Sequence, residues 1–185
     1  PTLVPVAVDT SIALAGKSVT AISLGTNHAC ALADGKAYCW GGNGSGQVGD
    51  GSLVSKALPT AVDASGQLSG KTVTAISAGL AHSCALAEGA AYCWGDNSNG
   101  AAGNGSATVN FSSPVAVDTS GALANKTVTR ISLGARYTCA LADAVTYCWG
   151  RNNLGQLGDT TNVDRRVPGP VTLAGQFVGL QARTF

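Results

Sequence analysis

The chain has 185 residues, with 11 Lys and Arg against 10 Asp and Glu, and it is 45% apolar but only 11% charged. That balance excludes a disordered chain, which combines high charge with low hydrophobicity. A net charge of +1 supplies no field for non-specific nucleic-acid binding, and no apolar run approaches the ~20 residues of a membrane span.

Along the chain the same phrases return. Pro5 opens a first unit that passes through Ala7-Val8-Asp9, Gly16-Lys17-Ser18-Val19-Thr20 and Ile22-Ser23-Leu24-Gly25. Cys30-Ala31-Leu32-Ala33 follows, then Tyr38-Cys39-Trp40-Gly41, then a Gly/Asn-rich loop from Asn43. A second unit opens at Pro59 and a third at Pro114, and Trp40, Trp94 and Trp149 stand 54 and 55 positions apart. The units run over 5–58, 59–113 and 114–167, and a partial fourth unit covers 168–185 within a single repeat domain, 1–185. Its one predicted strand, Gln176–Arg183, aligns with Lys17–Leu24. A fixed period of this kind signals a repeat architecture.

The expected elements are all β. Val73-Thr74-Ala75-Ile76-Ser77 is a short β-branched run bounded by Lys and Gly, and its length and flanks favour a strand. Cys-Ala-Leu-Ala and Ala-Tyr-Cys-Trp flank a turn pair and predict a hairpin. Ser11–Ala15 is long enough only for a turn of helix.

The repeat selects one cysteine pairing from the fifteen that six Cys allow. Each unit contains Cys-x8-Cys: Cys30/Cys39, Cys84/Cys93 and Cys139/Cys148. With Asp34-Gly35 at the centre of a two-residue hairpin, Cys30 faces Cys39 on a non-hydrogen-bonded pair, where Cα atoms approach to ~4.5 Å. Glu88-Gly89 gives the same register, and Asp143-Ala144 weakens the turn signal in the third unit. Three cross-strand disulfides are therefore expected, and with them an oxidising compartment, secreted or at the cell surface.

The phrases Ile22–Leu32, Tyr38–Asn43 and Gly46–Asp50 resemble the repeat of the regulator of chromosome condensation family. They return at Ile76–Leu86 and Tyr92–Asn97, and again at Ile131–Leu141, Tyr147–Asn152 and Gly155–Asp159. Cysteine-paired versions resemble its bacterial and extracellular branch. The resemblance implies a β-propeller of four-stranded blades, seven in complete members. About 3.4 repeats leave an incomplete ring. That leaves three arrangements: a longer parent chain, a ring shared between copies, or an open stack. Known members serve as exchange factors, chromatin binders and secreted enzyme inhibitors, so the fold does not determine the function. Paired cysteines and the lack of net basic charge argue against nuclear exchange activity.

Each candidate site has a structural reading. Trp40, Trp94 and Trp149 alternate with the disulfide cysteines, so they are expected to face the opposite side and form blade core. His28 and His82 each stand two positions before a Cys, and each is expected to make a structural hydrogen bond within its own unit; Tyr137 takes their place in the third. The Asn and Asp of the Gly-rich loops suit turns better than calcium. No catalytic constellation or phosphate-binding loop is present, and no enzyme activity, metal or cofactor is expected. All six Arg lie at or after Arg130. The residues before each His or Tyr vary most between units. This makes Asn27, Ala81 and Arg136, with Arg151 and Asn152, the candidate binding loops on a fixed frame. Four glycan acceptor triplets begin at Asn43, Asn104, Asn110 and Asn125.

The sequence thus predicts a non-catalytic extracellular module that binds protein or glycan, with no nucleic-acid partner. The alternative is a structural subunit that binds copies of itself through open blade edges, as in a surface fibre.

Overall fold

The computed structural model describes residue 4 and residues 6–172. Pro5 and the strand expected over Gln176–Arg183 lie outside the described residues. Twelve strands form three four-stranded antiparallel sheets, and the described residues contain no helix. The first sheet holds β1 (Val19–Leu24), β2 (His28–Ala33), β3 (Lys36–Gly41) and β4 (Lys56–Ala61). The second holds β5 (Val73–Ala78), β6 (His82–Ala87), β7 (Ala90–Asp96) and β8 (Asn110–Ala116). The third holds β9 (Val128–Leu133), β10 (Tyr137–Ala142), β11 (Val145–Gly150) and β12 (Arg165–Pro170). Strands follow one another in sequence across each sheet, which is the blade of a propeller. The three described blades do not close into a ring.

The repeat boundaries drawn from sequence fall inside blades. Positions 58/59, 113/114 and 167/168 lie within β4, β8 and β12. Pro59, Pro114 and Pro168 sit in the fourth strands β4, β8 and β12, each at one edge of its sheet. An edge strand tolerates Pro because one side of it makes no ladder bonds.

The hairpins have the expected register. Cys30 pairs with Cys39, Cys84 with Cys93 and Cys139 with Cys148 across neighbouring strands. All three pairs are disulfide-bonded, with Cα separations of 4.1, 4.0 and 4.1 Å. Both central turn residues have positive φ in every case, at 47° and 70° for Asp34-Gly35 and 53° and 74° for Glu88-Gly89. Ala144 adopts φ 62° without the freedom of glycine.

Strand alternation gives each blade two faces. The front face of the first blade carries Ala21, His28, Cys30, Leu32, Ala37 and Cys39. The back face of the second carries Ile76, Ala85, Ala87, Tyr92 and Trp94. Apart from His28, these form one buried cluster with Val48 and the linker residues Val62 and Leu68. The second and third blades repeat it, with Cys84, Leu86, Ala91 and Cys93 against Ala140, Ala142, Tyr147 and Trp149. The core of this protein thus lies between its sheets.

Candidate binding surface and the joints between blades

The long loop after the third strand of each blade is built around one buried Asn. Asn43 donates from Nδ2 to the carbonyls of Ser52 at 3.0 Å and Val54 at 3.1 Å, and its Oδ1 accepts from Val48 N at 2.9 Å. Asn97 does the same with Ser106, Thr108 and Ala102. Asn152 binds Thr161 O, Asp159 Oδ1 and Leu157 N. The three side chains are at most 1% exposed. Asn152, expected in a binding loop, is therefore a clamp inside it. The Asn43 acceptor triplet is likewise closed to glycan in the folded chain. The loop carboxylates are engaged as well: Asp50 meets Lys56 at 2.7 Å and Asp159 meets Arg165 at 3.5 Å. Burial raises the pKa of Asp50, but its bonds to Lys56 and Ser52 outweigh this and hold it below the usual carboxylate value.

The first two clamped loops reach over the next blade. Gly51 N donates to Ser112 O, and Gly105 N donates to Arg166 O. A Cβ at Gly49 would fall 2.5 Å from Trp94 Nε1, so the loop and the next blade's indole are in contact through glycine.

A buried relay crosses each joint. Ser83 Oγ donates to Gln47 O at 2.9 Å, and Trp94 Nε1 donates to the same carbonyl at 2.9 Å. With its one hydrogen committed, Ser83 Oγ accepts from His28 Nε2–H at 2.8 Å. In the next joint His82 donates to Thr138, and Thr138 and Trp149 both donate to Ala101 O. The expectation that each His bonds within its own unit is thus corrected: both bonds join one unit to the next. A hydroxyl on the following blade is within reach because blades stack face to face. Burial pushes the pKa of both histidines down to about 4. His28 Nδ1 is buried without a partner, which suits the neutral ring.

Trp94 and Trp149 are fully buried by these joints. Trp40 is only half-buried, because among the described residues no blade precedes the first one. As blade core it departs from the expectation, and Ala29 stands where Ser83 and Thr138 supply the relay hydroxyl.

A profile of the regulator of chromosome condensation (RCC1) repeat matches residues 34–86, 88–141 and 143–180. The chain belongs to the RCC1 repeat family. It is 36% identical over 153 residues to the human protein named probable E3 ubiquitin-protein ligase HERC6, covering 80% of this chain and 14% of that protein. It is 30% identical over 159 residues to the ultraviolet-B receptor UVR8 of Arabidopsis thaliana, covering 84% of this chain and 34% of the receptor. The chain thus spans about a third or less of these relatives. Human WBSCR16 superposes with a TM-score of 0.77 at 22% identity, over 90% of this chain and 40% of that one. Yeast RCC1 (Prp20), in its structure bound to Kap60, gives 0.72 at 21% identity, over 84% and 37%. The structural likenesses establish the propeller fold.

In these RCC1 repeats the loops after β1, β5 and β9 converge on one end of the blades. Leu24, Thr26, Leu80, Leu133 and Ala135 line a shallow depression of about 360 Å³ there. Leu80 N donates to Ala135 O at 3.1 Å and ties two of the loops together. Of the expected binding residues, Asn27 is exposed and Ala81 half-buried, each next to a loop residue of this depression. Arg136 lies beside it but is engaged, 3.6 Å from Asp96 Oδ2 and 3.3 Å from Ser98 Oγ. Arg151 is half-buried and its side chain has no partner among the described residues. The relay hydroxyls Ser83 and Thr138 were missed by sequence reasoning. Their only trace there is a Ser or Thr between the His or Tyr and the Cys in the second and third units, against Ala29 in the first.

Proposed function

We propose that this RCC1-repeat segment is a non-catalytic protein-binding module displayed outside the cell, and that partners contact its loop end around Asn27, Ala81 and Arg136. The observation that carries this reading is the loop-end depression. Three loops of different composition, Thr26-Asn27, Leu80-Ala81 and Ala135-Arg136, meet there on frames of matching register. A repeated frame with varied loops writes specificity without new folding. Three disulfides support the extracellular part, because such bonds persist in oxidising compartments. The test is photocrosslinking on the native host's surface from position 27 or 81. A discrete protein adduct from these positions, and none from position 36 at the opposite end, supports the reading. Equal adducts from both ends, or an adduct to glycan alone, would defeat it.

A second reading has one specific observation in its favour. The back face of the first blade leaves Ile22 61% and Leu24 70% exposed, where Ile76 and Ala78 are 9% and 8% exposed in the second. An open blade edge of this kind suits a subunit of a self-assembled surface fibre. Filaments under negative stain would favour it, and discrete particles would remove it.

A further inference from the structure

The segment ahead of the first blade repeats one whose place is known. Pro5-Val6-Ala7-Val8-Asp9-Thr10-Ser11 is identical, residue for residue, to Pro114-Val115-Ala116-Val117-Asp118-Thr119-Ser120. The second copy closes a blade. Val115 pairs with Cys93 and Ala116 with Tyr92 at the end of β8, and Val117 N donates to Ala91 O at 3.0 Å. Thr60 and Ala61 pair with Cys39 and Tyr38 in the first blade, and Gly169 and Pro170 with Cys148 and Tyr147 in the third. There Val62 N and Val171 N donate to Ala37 O and Thr146 O. Val62 and Val117 are 6% and 3% exposed, whereas Val6 and Val8 are 70% and 46% exposed. Among the described residues, Val6, Ala7 and Val8 pair with no strand.

The linker that follows is nevertheless in its usual place. Ser11 N donates to Asp9 Oδ1 at 2.8 Å, as Ser65 N does to Asp63 and Ser120 N to Asp118. Lys17 N donates to Leu14 O at 3.1 Å, matching Lys71 on Leu68 and Lys126 on Leu123. Leu14 is buried against Ala33 and Tyr38 of the first blade, as Leu68 is against Ala87 and Tyr92 of the second. Residues 6–8 therefore stand to the first blade as residues 60–62 stand to the second. An identical sequence ahead of a matching linker differs in burial only through what lies beside it, since a strand is stabilised by its cross-strand neighbours.

We propose that residues 6–8 are a donor strand that completes a further blade of the same repeat, carried by the same polypeptide, by pairing with that blade's third strand. Val6 stands opposite its cysteine position and Ala7 opposite its tyrosine position. Val8 N–H bonds the carbonyl one residue before that tyrosine. Main-chain bonds of this kind give affinity and register, and the alternating side chains pack on the sheet they extend. A strand this short buries too little surface to offset the cost of association between separate chains, whereas a tether supplies a high effective concentration. The pairing is independent of the loop-end depression and of any partner bound there.

The experiment places a photocrosslinker at position 6 of the protein in its native host and maps the linked peptides by mass spectrometry. The expected result is a link within one polypeptide, from position 6 to the third strand of a blade other than the three described. Val8→Pro removes the N–H that the described blades use at this place, and it should abolish the link. In the 185-residue chain alone the same variant should melt at the wild-type temperature, because Val8 N has no backbone acceptor among the described residues. That comparison separates lost pairing from lost folding. No link from position 6, a link to a separate polypeptide, a link to any of β1–β12, or a link that survives Val8→Pro would overturn the proposal. So would a lowered melting temperature of the 185-residue variant, since residues 6–8 would then belong to the three-blade stack itself.

Discussion

At the residue scale, the joints depend on polar atoms that pair only when blades stack. Removing the Ser83 hydroxyl leaves His28 Nε2–H without its acceptor inside a dry joint. Ser83→Ala should therefore destabilise the chain by about 1–3 kcal/mol in chemical denaturation. Ala29→Ser should change little, because Ala29 is only half-buried and among the described residues no joint covers it. The histidines set a pH dependence. Each has a folded pKa of about 4, below its ordinary value of 6.5. Between those values the unfolded chain binds more protons than the folded one, so stability is full above about pH 6.5 and is lost as pH falls toward 4. Thermal melts should show this fall, and a His28→Gln/His82→Gln variant should show a shallower one. The burial of Trp94 and Trp149 was legible from alternation, while the half-buried Trp40 and the clamp role of Asn152 were not. The relay hydroxyls were not, because a Ser or Thr beside a Cys carries no sign of which sheet it will face.

At the element scale, the hairpin turn is the unit that sets register. Positive φ at both central positions suits glycine at the second, and the third blade has Ala144 there with φ 62°. Ala144→Gly should stabilise the chain by about 1 kcal/mol, read as a higher denaturation midpoint. Each disulfide closes a short loop across one hairpin. Replacing Cys84 and Cys93 together by Ala should cost about 2–3 kcal/mol by loop entropy, plus the packing lost opposite Trp149 in the shared cluster. Hairpin register and disulfide pairing could both be written from spacing, since two-residue turns leave no freedom once the alternation is known. The fourth strands could not. Lys56–Ala61 follows a long clamped loop, and nothing local says whether it closes the old blade or opens a new one.

At the scale of the whole molecule, the blades form a stack whose two outer faces differ. The first blade's back face is apolar, with Ile22, Leu24 and the half-buried Trp40. The third blade's front face is more polar, with Arg130, Tyr137 and Thr146. Acrylamide should quench one indole, Trp40, while Trp94 and Trp149 stay protected at 0% exposure. A Trp40→Phe variant should lose the quenchable fraction. Quenching of all three would mean that the joints open in solution. In the native host, protection of Trp40 would show that another surface covers the first blade.

The sequence by itself determined the period, the all-β class, the hairpin register and the pairing of six cysteines. These are local consequences of alternation, turn chemistry and spacing, and three copies of each phrase reinforce them. Only the tertiary structure decided that His28 and His82 act across joints, that Asn152 is a clamp rather than a contact, and that the sequence repeat is out of step with the blade. Those depend on which sheet lies against which, a long-range relation that no window of residues contains.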